Sequence, residues 1–115
     1  MSTLQYNGNE YNILYIDGNI GVNEGDGSTP ATALSSIPSP LTNKTCYIVR
    51  RYGNDETIYV DMPQSWYENL EYIMFLGFPA TDDPMYDIME ADAKTLWGAD
   101  TGKYARIRCN QTDYR

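Results

Sequence analysis

The chain has 115 residues, of which 42% are hydrophobic, and its 16 acidic and 8 basic residues give a formal net charge of −8. This length supports one domain with one core, and the acidic balance disfavours binding to the phosphate backbone of nucleic acids. The absence of histidine excludes histidine-based acid–base catalysis and histidine-ligated metals. No apolar run has the length of a membrane span. The sequence therefore favours a small acidic domain that binds neither nucleic acid nor membrane.

The N-terminal part of the chain predicts a strand, a long loop and a short helix. Residues 10–17 (EYNILYID) are rich in β-branched and aromatic side chains, which favour a strand. Residues 18–29 contain four glycines and several turn-forming polar residues, which indicate a loop. Thr29 and Pro30 are typical of a helix start, and the predicted helix would have an apolar face formed by Ala33, Leu34 and Ile37.

Three strands are predicted in the middle of the chain. Residues 45–50 (TCYIVR) give the clearest strand, and residues 57–60 (TIYV) give another after a turn signal. These two strands either pair as a hairpin or follow one another round a coil. Residues 71–78 (EYIMFLGF) are nearly all apolar, which predicts a strand that is buried on both faces.

The C-terminal part of the chain predicts a second helix and a last strand. Asp83 and Pro84 indicate a helix start, so we expect a helix within residues 84–97 that ends at Gly98. Residues 104–109 alternate between apolar and polar side chains, which predicts a half-buried strand. The fold class expected from the sequence is mainly β with two short helices.

Two groups of acidic residues are candidates for chemistry, and both are better explained as local structure. One group lies at the start of the second predicted helix, where negative charge interacts favourably with the helix dipole; it comprises Asp82, Asp83, Asp87 and Glu90. The other, at residues 17–24, has oxygen-bearing side chains spaced like a calcium loop, but Val22 stands where an EF-hand needs glycine. We therefore expect no catalytic residues, no metal and no cofactor.

The two cysteines, Cys46 and Cys109, both lie on predicted strands next to apolar neighbours. They would either form a disulfide or remain two buried free thiols. The second interpretation is favoured, because buried free cysteine behaves as a small hydrophobic residue.

One stretch of the chain resembles a known family. A strand at residues 15–16 leads through a loop into GDGSTPATAL at residues 25–34, and then to the strand residues 47–50. This order resembles the first segment of right-handed parallel β-helix proteins of the pectate-lyase-like type, which include phage tailspikes and non-enzymatic phage head and tail fibres. In that family a short helix covers the open end of the β-helix, where apolar core and strand edges would otherwise be exposed.

The resemblance implies a domain organisation and a function. Residues 15–51 would be the opening and cap of a β-helix, and residues 62–98 would be an insertion that docks on a partner. The 115 residues would be one domain or the N-terminal fragment of a longer chain. The implied function is a structural virion protein, assembled in the host cytoplasm, that anchors a trimeric head or tail fibre to capsid or tail proteins. The alternatives are a fragment of a polysaccharide-degrading tailspike and a module that binds a host glycan.

Large aromatic side chains are the expected contacts with virion proteins or with sister chains, because such residues anchor protein interfaces. The candidates are Trp66, Tyr67, Tyr72, Phe75, Phe78 and Trp97. The end of the chain is locally basic, and we expect Arg106 and Arg108 to pair with acidic residues of a neighbour.

Overall fold

The computed structural model of the chain describes residues 3–17, 25–38, 41–50, 57–60, 70–103 and 106–109, and it gives only the backbone pairing of the strands at 57–60 and 106–109. The described strands are β1 (Thr3–Tyr6), β2 (Asn9–Asp17), β3 (Thr45–Arg50), β4 (Thr57–Val60), β5 (Ile73–Gly77) and β6 (Arg106–Cys109). The one α-helix of these ranges is α1 (Ala91–Leu96), and 3₁₀ turns occupy Pro30–Thr32, Pro84–Ile88 and Gly98–Asp100. The prediction of a mainly β chain is confirmed.

The described strands form two sheets. The larger is a mixed sheet with the order β1-β2-β3-β5, in which β1 is antiparallel to β2 and the other pairs are parallel. The smaller is a parallel pair of β4 and β6. Because β3 and β4 belong to different sheets, a hairpin between them, one of the two alternatives left open by the sequence, is wrong.

An N-terminal hairpin was not expected from the sequence. β1 and β2 are joined by Asn7 and Gly8, whose φ angles are 53° and 84°. Two successive positive φ angles are what a type I′ hairpin turn needs, and Asn-Gly is the residue pair that adopts them most readily. The hairpin places β1 along the first half of the outer edge of β2.

The strand β3 lies between β2 and β5, and five of its six residues are buried. Alternate side chains of β2 and β3 enter two apolar clusters on opposite faces of the sheet. One cluster includes Phe78, which follows β5, and residues of the helical region, by which we mean residues 84–100. This cluster contains Tyr15, Cys46, Ile48, Phe78, Met89, Ala93 and Trp97. The other is closed by the segment between the first 3₁₀ turn and β3; it contains Ile16, Ile37, Leu41, Tyr47 and Val49.

The helix expected after Thr29 is only one 3₁₀ turn, Pro30–Thr32. Its expected apolar face is also wrong, because Ala33 and Ile37 pack into clusters on opposite sides of the sheet. Leu34 instead forms a parallel bridge with Ile16. The chain leaves the helical conformation here because the backbone of Leu34 forms hydrogen bonds with Tyr15 and Asp17 at the edge of β2.

The second predicted helix is split into a 3₁₀ turn, Pro84–Ile88, and the short helix α1. Asp83 caps the first part as predicted, and its side chain accepts a hydrogen bond of 2.9 Å from the backbone N–H of Met85. The helix α1 ends at Leu96, inside the predicted range, with Trp97 as its C-cap; Gly98 is the next residue and begins another 3₁₀ turn. Within the described residues, no helix has the length and apolar character needed to cross a membrane.

Candidate interaction surface at the edge of the parallel sheet

The strand β5 forms one edge of the mixed sheet. Among the described strands only β3 pairs with it. Its five residues, IMFLG, are apolar or glycine, yet four are half-buried and Phe75 is 36% exposed. The expectation of a strand buried on both faces is therefore wrong for this segment. Side chains of β5 pack against the clusters on both faces, but at the sheet edge they have cross-strand neighbours on one side only and stay partly exposed. We call the side of β5 that faces away from β3, together with Phe75, the β5 edge.

Phe75 is the outer member of an aromatic stack. It is paired in register with Tyr47 of β3, and the two rings lie 5.3 Å apart between centroids with an interplanar angle of 24°. The Tyr47 ring is fully buried, and its hydroxyl accepts a hydrogen bond of 2.7 Å from the backbone N–H of Thr42. The inner ring of the stack is thus fixed by the core, and the outer ring is presented at the edge.

The opposite edge, on β2, is covered along its whole length. β1 pairs with residues 9–12 of β2. Beyond that point the backbone N–H of Tyr15 donates to the carbonyl of Gly27, and the N–H of Asp17 donates to the carbonyl of Leu34, both at 2.8 Å. The N–H of Leu34 donates in return to the carbonyl of Tyr15 at 2.9 Å. Residues 27–34, which include the first 3₁₀ turn, therefore close this edge, and we call them the closing segment.

The closing segment is held by a capping box and by one glycine. The Thr29 hydroxyl accepts a hydrogen bond from the N–H of Thr32, and the Thr32 hydroxyl accepts one from the N–H of Thr29, each at 3.2 Å. Gly27 has φ of 82°, and a Cβ at this position would lie only 3.0–3.1 Å from the side chains of Leu14 and Leu34. The segment therefore needs glycine at position 27 both for its backbone conformation and for its close packing.

Phe78 and Trp97, two of the residues expected at a partner interface, lie inside this chain. Both side chains are fully buried, and their rings meet edge to face at 5.8 Å. Trp97 also contacts Tyr15 edge to face at 5.4 Å, and the Arg50 guanidinium lies 5.7 Å from the centroid of its ring. Because neither side chain has surface to offer a partner, they act in the core, and the interface is proposed without them.

The other expected interface residues lie at the surface or outside the described part. Tyr72 is half-buried; its ring meets Tyr11 edge to face at 4.9 Å, and its hydroxyl donates to the carbonyl of Glu10 at 2.9 Å. Arg106 and Arg108 lie on β6, whose side chains are not described. Trp66 and Tyr67 lie outside the described residues. Phe75 is thus the one predicted aromatic contact for which the structure describes an exposed ring.

A charged cluster that the sequence analysis missed lies at the carboxyl ends of β2 and β3. Arg50 bridges two carboxylates: its Nη1 lies 3.0 Å from Asp17 Oδ2, and its Nε and Nη2 each lie 2.8 Å from Asp100 Oδ2. All three side chains are largely buried. Lys103 Nζ, at 3.9 Å from Asp100 Oδ1, adds an exposed charge. Asp17 and Arg50 end two predicted strands, so a parallel arrangement would have brought them together, whereas nothing local indicates Asp100.

Three of the acidic residues considered for chemistry have structural partners, and Asp87 lies in the first turn of the 3₁₀ segment Pro84–Ile88. Glu90 accepts a hydrogen bond of 2.6 Å from the hydroxyl of Tyr15, and burial together with this bond raises the pKa of Tyr15. Asp83 is a helix cap, as described above. Asp17, the first residue of the calcium-like loop, pairs with Arg50, and residues 18–24 lie outside the described part. Across the described ranges, no group of three or more cysteine, aspartate or glutamate side chains is placed to hold a metal ion.

Cys46 is a free thiol with no exposed surface. Its burial raises the thiol pKa to about 12, so the thiolate that reacts with electrophiles is scarce at neutral pH. The interpretation of Cys46 as a buried small hydrophobic residue is confirmed. The side chain of Cys109 lies outside the described part.

A shallow apolar groove of about 360 Å³ lies between the first 3₁₀ turn and α1. Pro30 and Ala31 line one side, and Asp92, Thr95 and Leu96 line the other. Leu96 is 51% exposed, which makes it the most exposed large hydrophobic side chain of the described residues. The groove gives the region around the closing segment an apolar surface of its own.

The comparisons with known proteins give no relative. A scan against protein-family models, a search of curated proteins and a search of solved structures each found no match to this chain.

Proposed function

We propose that this chain is a structural module that closes one end of a parallel β-structure and presents the other end for assembly. The observation that carries the proposal is the inequality of the two edges of the mixed sheet. The β2 edge is covered by β1 and by the backbone of Gly27 and Leu34. The β5 edge has no partner strand among the described residues and carries the exposed ring of Phe75.

The path of the chain between the two sheets supports a coiled arrangement. β3 of the large sheet is followed by β4 of the small sheet, and β5 of the large sheet is followed by β6 of the small sheet. β3 is parallel to β5, and β4 is parallel to β6. Two successive passes in the same direction are what two coils of a parallel β-helix would give. The docking insertion expected at residues 62–98 would then be limited to the part of that range after β5, in the second coil, because β5 itself pairs with β3 in the mixed sheet. On this basis we propose that the chain is the capping region of a right-handed parallel β-helix and part of a longer protein.

The proposed biological role follows from the resemblance of residues 15–51 to phage fibre proteins. The chain would be the N-terminal anchoring and capping region of a phage head or tail fibre, assembled as a homotrimer in the host cytoplasm and attached to capsid or tail proteins. The groove between the first 3₁₀ turn and α1 supplies apolar surface near the closing segment, as an anchor to a particle requires. The structural partners of Asp17, Asp83 and Glu90 favour this role over catalysis.

Particle association is the direct test of this function. Virus particles purified from the source of the sequence are labelled with gold-conjugated antibodies against the chain and are viewed by electron microscopy. We expect labels at the capsid or along the tail, and light scattering of the purified chain should give the mass of a trimer. Label confined to material outside the particles, together with a monomeric mass, would contradict the proposal. Cleavage of a capsular polysaccharide would favour a tailspike fragment, and binding on a glycan array would favour a host-glycan module.

A further inference from the structure

We infer that the β5 edge binds an extended polypeptide strand that runs parallel to β5 and places an aromatic residue against Phe75. The occupant is a segment of a partner polypeptide that has apolar side chains at alternate residues. This inference deepens the proposed function and rests on it, because it specifies what the open edge receives.

The backbone of β5 determines the first property of the occupant. In a strand, N–H and C=O groups alternate between the two sides, so half of those on β5 face away from β3. Such a row of donors and acceptors is satisfied by an extended backbone, which is the basis of recognition by strand addition. An apolar sheet edge is also a typical site of pairing with another chain.

The direction of the occupant follows from the strands already present. β2, β3 and β5 are mutually parallel, and the pair β4–β6 is parallel as well. A strand that continues this order keeps the twist and the hydrogen-bond pattern of the sheet on the side of β5. A second copy of this chain that paired by two-fold symmetry would instead place two β5 strands antiparallel.

Phe75 determines the side chain at one position of the occupant. The register Tyr47↔Phe75 puts one ring on the next in a stacked geometry, with the inner ring buried and the outer ring partly exposed. A third aromatic ring in the same register would cover Phe75 and extend the stack. Aromatic pairs of this kind add stabilisation beyond the area that they bury.

The inference is tested with a peptide copy of β3, the strand that pairs with the other side of β5. The probe is a synthetic peptide with the sequence of residues 44–51 and the change Cys46→Ser, so that its tyrosine is the residue that would stack on Phe75. Binding to the full chain is followed by fluorescence anisotropy and by NMR of the β5 amides. We expect saturable binding that slows the exchange of those β5 amides that are unprotected in the chain alone.

Three control peptides separate sequence-specific binding from attraction of a basic peptide to an acidic protein. Tyr47→Phe in the peptide should retain the affinity, and Tyr47→Thr, which keeps the strand propensity, should weaken it about tenfold. A scrambled peptide of the same composition should not bind. Because these changes are made in the probe, the folding of the protein does not affect the result. Equal affinity for the scrambled peptide or for the Tyr47→Thr peptide would overturn the inference.

The direction of binding is measured with a spin label at the N-terminus of the probe. Parallel addition predicts stronger broadening of the signals near Ile73 than of those near Gly77, and the reverse gradient would overturn the inference. Protection of all β5 amides in the chain before the peptide is added would also overturn it. These readouts do not depend on particle labelling, so a failure of the strand-addition inference can be distinguished from a failure of the proposed virion role.

Discussion

Asp17 and Arg50 are paired in register at the last positions of β2 and β3, and Arg50 Nη1 lies 3.0 Å from Asp17 Oδ2. The same guanidinium reaches Asp100, which follows α1 by four residues. One cation therefore ties two strands of the mixed sheet to the turn beyond the helix. This arrangement fixes the helical region over the face that contains Tyr15 and Trp97.

Replacement of Arg50 is expected to destabilise the chain strongly. Arg50→Met would remove the guanidinium that lies 2.8–3.0 Å from the largely buried carboxylates of Asp17 and Asp100, a change that costs about 3 kcal/mol or more in the free energy of unfolding. Urea unfolding followed by circular dichroism measures it. The matched control is Lys103→Met, which removes an exposed ion pair to the same Asp100 and should cost less than about 1 kcal/mol. Equal costs for the two variants would contradict the role given to Arg50.

The sequence predicted the strands of the chain better than their environment. Residues 45–50 and 57–60 were assigned with the observed bounds, because β-branched and aromatic runs between turn signals have few other structures open to them. The apolar run at 71–78 was expected to be buried on both faces, yet its strand is at the edge of the sheet. Apolar composition indicates that a segment can be buried, whereas its neighbours decide whether it is.

Other features differ in whether the sequence held a signal for them. Asn7-Gly8 is a strong hairpin signal when it lies between two strands. The strand before it, β1 (TLQY), has only one buried residue, so its hydrophobic pattern does not indicate a strand. The sequence predicts an interface role for Trp97, and the prediction is wrong because the burial of this residue depends on how α1 packs on the sheet, a long-range contact. The contact of Arg50 with Asp100 is likewise created only by the folded chain.

Gly27 should be needed for the segment that closes the β2 edge. Gly27→Ala would force a Cβ onto a backbone with φ of 82° and would place it 3.0 Å from the Leu14 side chain. Left-handed backbone strain and overpacking together predict a loss of about 2–3 kcal/mol in the free energy of unfolding. Gly98→Ala is the control, because a Cβ there meets no atom within 4 Å, and it should change stability by less than about 0.5 kcal/mol. Thermal and urea unfolding of the two variants provide the comparison.

The hydrogen bond from Tyr15 to Glu90 should stabilise the packing of the helical region on the sheet. Tyr15→Phe keeps the buried ring but removes the donor to Glu90 Oε1, so we expect a loss of about 1–3 kcal/mol in the free energy of unfolding. Tyr72→Phe removes an exposed hydroxyl that donates to a backbone carbonyl and should cost less than about 1 kcal/mol. A stability of Tyr15→Phe equal to that of the original chain would show that the hydroxyl contributes nothing net.

Stability should fall at alkaline pH, and Tyr15 should account for part of the fall. Burial, aided by the hydrogen bond to Glu90, raises the pKa of Tyr15 in the folded state above the value of about 10 expected in the unfolded state. Above about pH 10 the unfolded chain therefore releases the Tyr15 proton while the folded chain retains it, and the free energy of unfolding decreases by up to about 1.4 kcal/mol per pH unit from this group. Urea unfolding from pH 8 to 11 should show a shallower decrease for Tyr15→Phe than for Tyr6→Phe, whose ring is 46% exposed. Identical slopes for the two variants would contradict the assignment.

Cys46 should react with thiol reagents only when the chain opens. Its side chain has no exposed surface and its pKa is raised to about 12, so both access and thiolate formation oppose reaction in the folded state. In a Cys109→Ser variant, which leaves one thiol, labelling by a chromogenic disulfide at pH 8 should be slow in buffer and complete within seconds in concentrated urea. Mass spectrometry of the original chain without reductant should give the mass of two free thiols, because Cys46 is not in a disulfide. Labelling of the folded variant at the rate of a small-molecule thiol would mean that the cluster around Cys46 is open to solvent. That result would contradict the packing described for this face of the sheet.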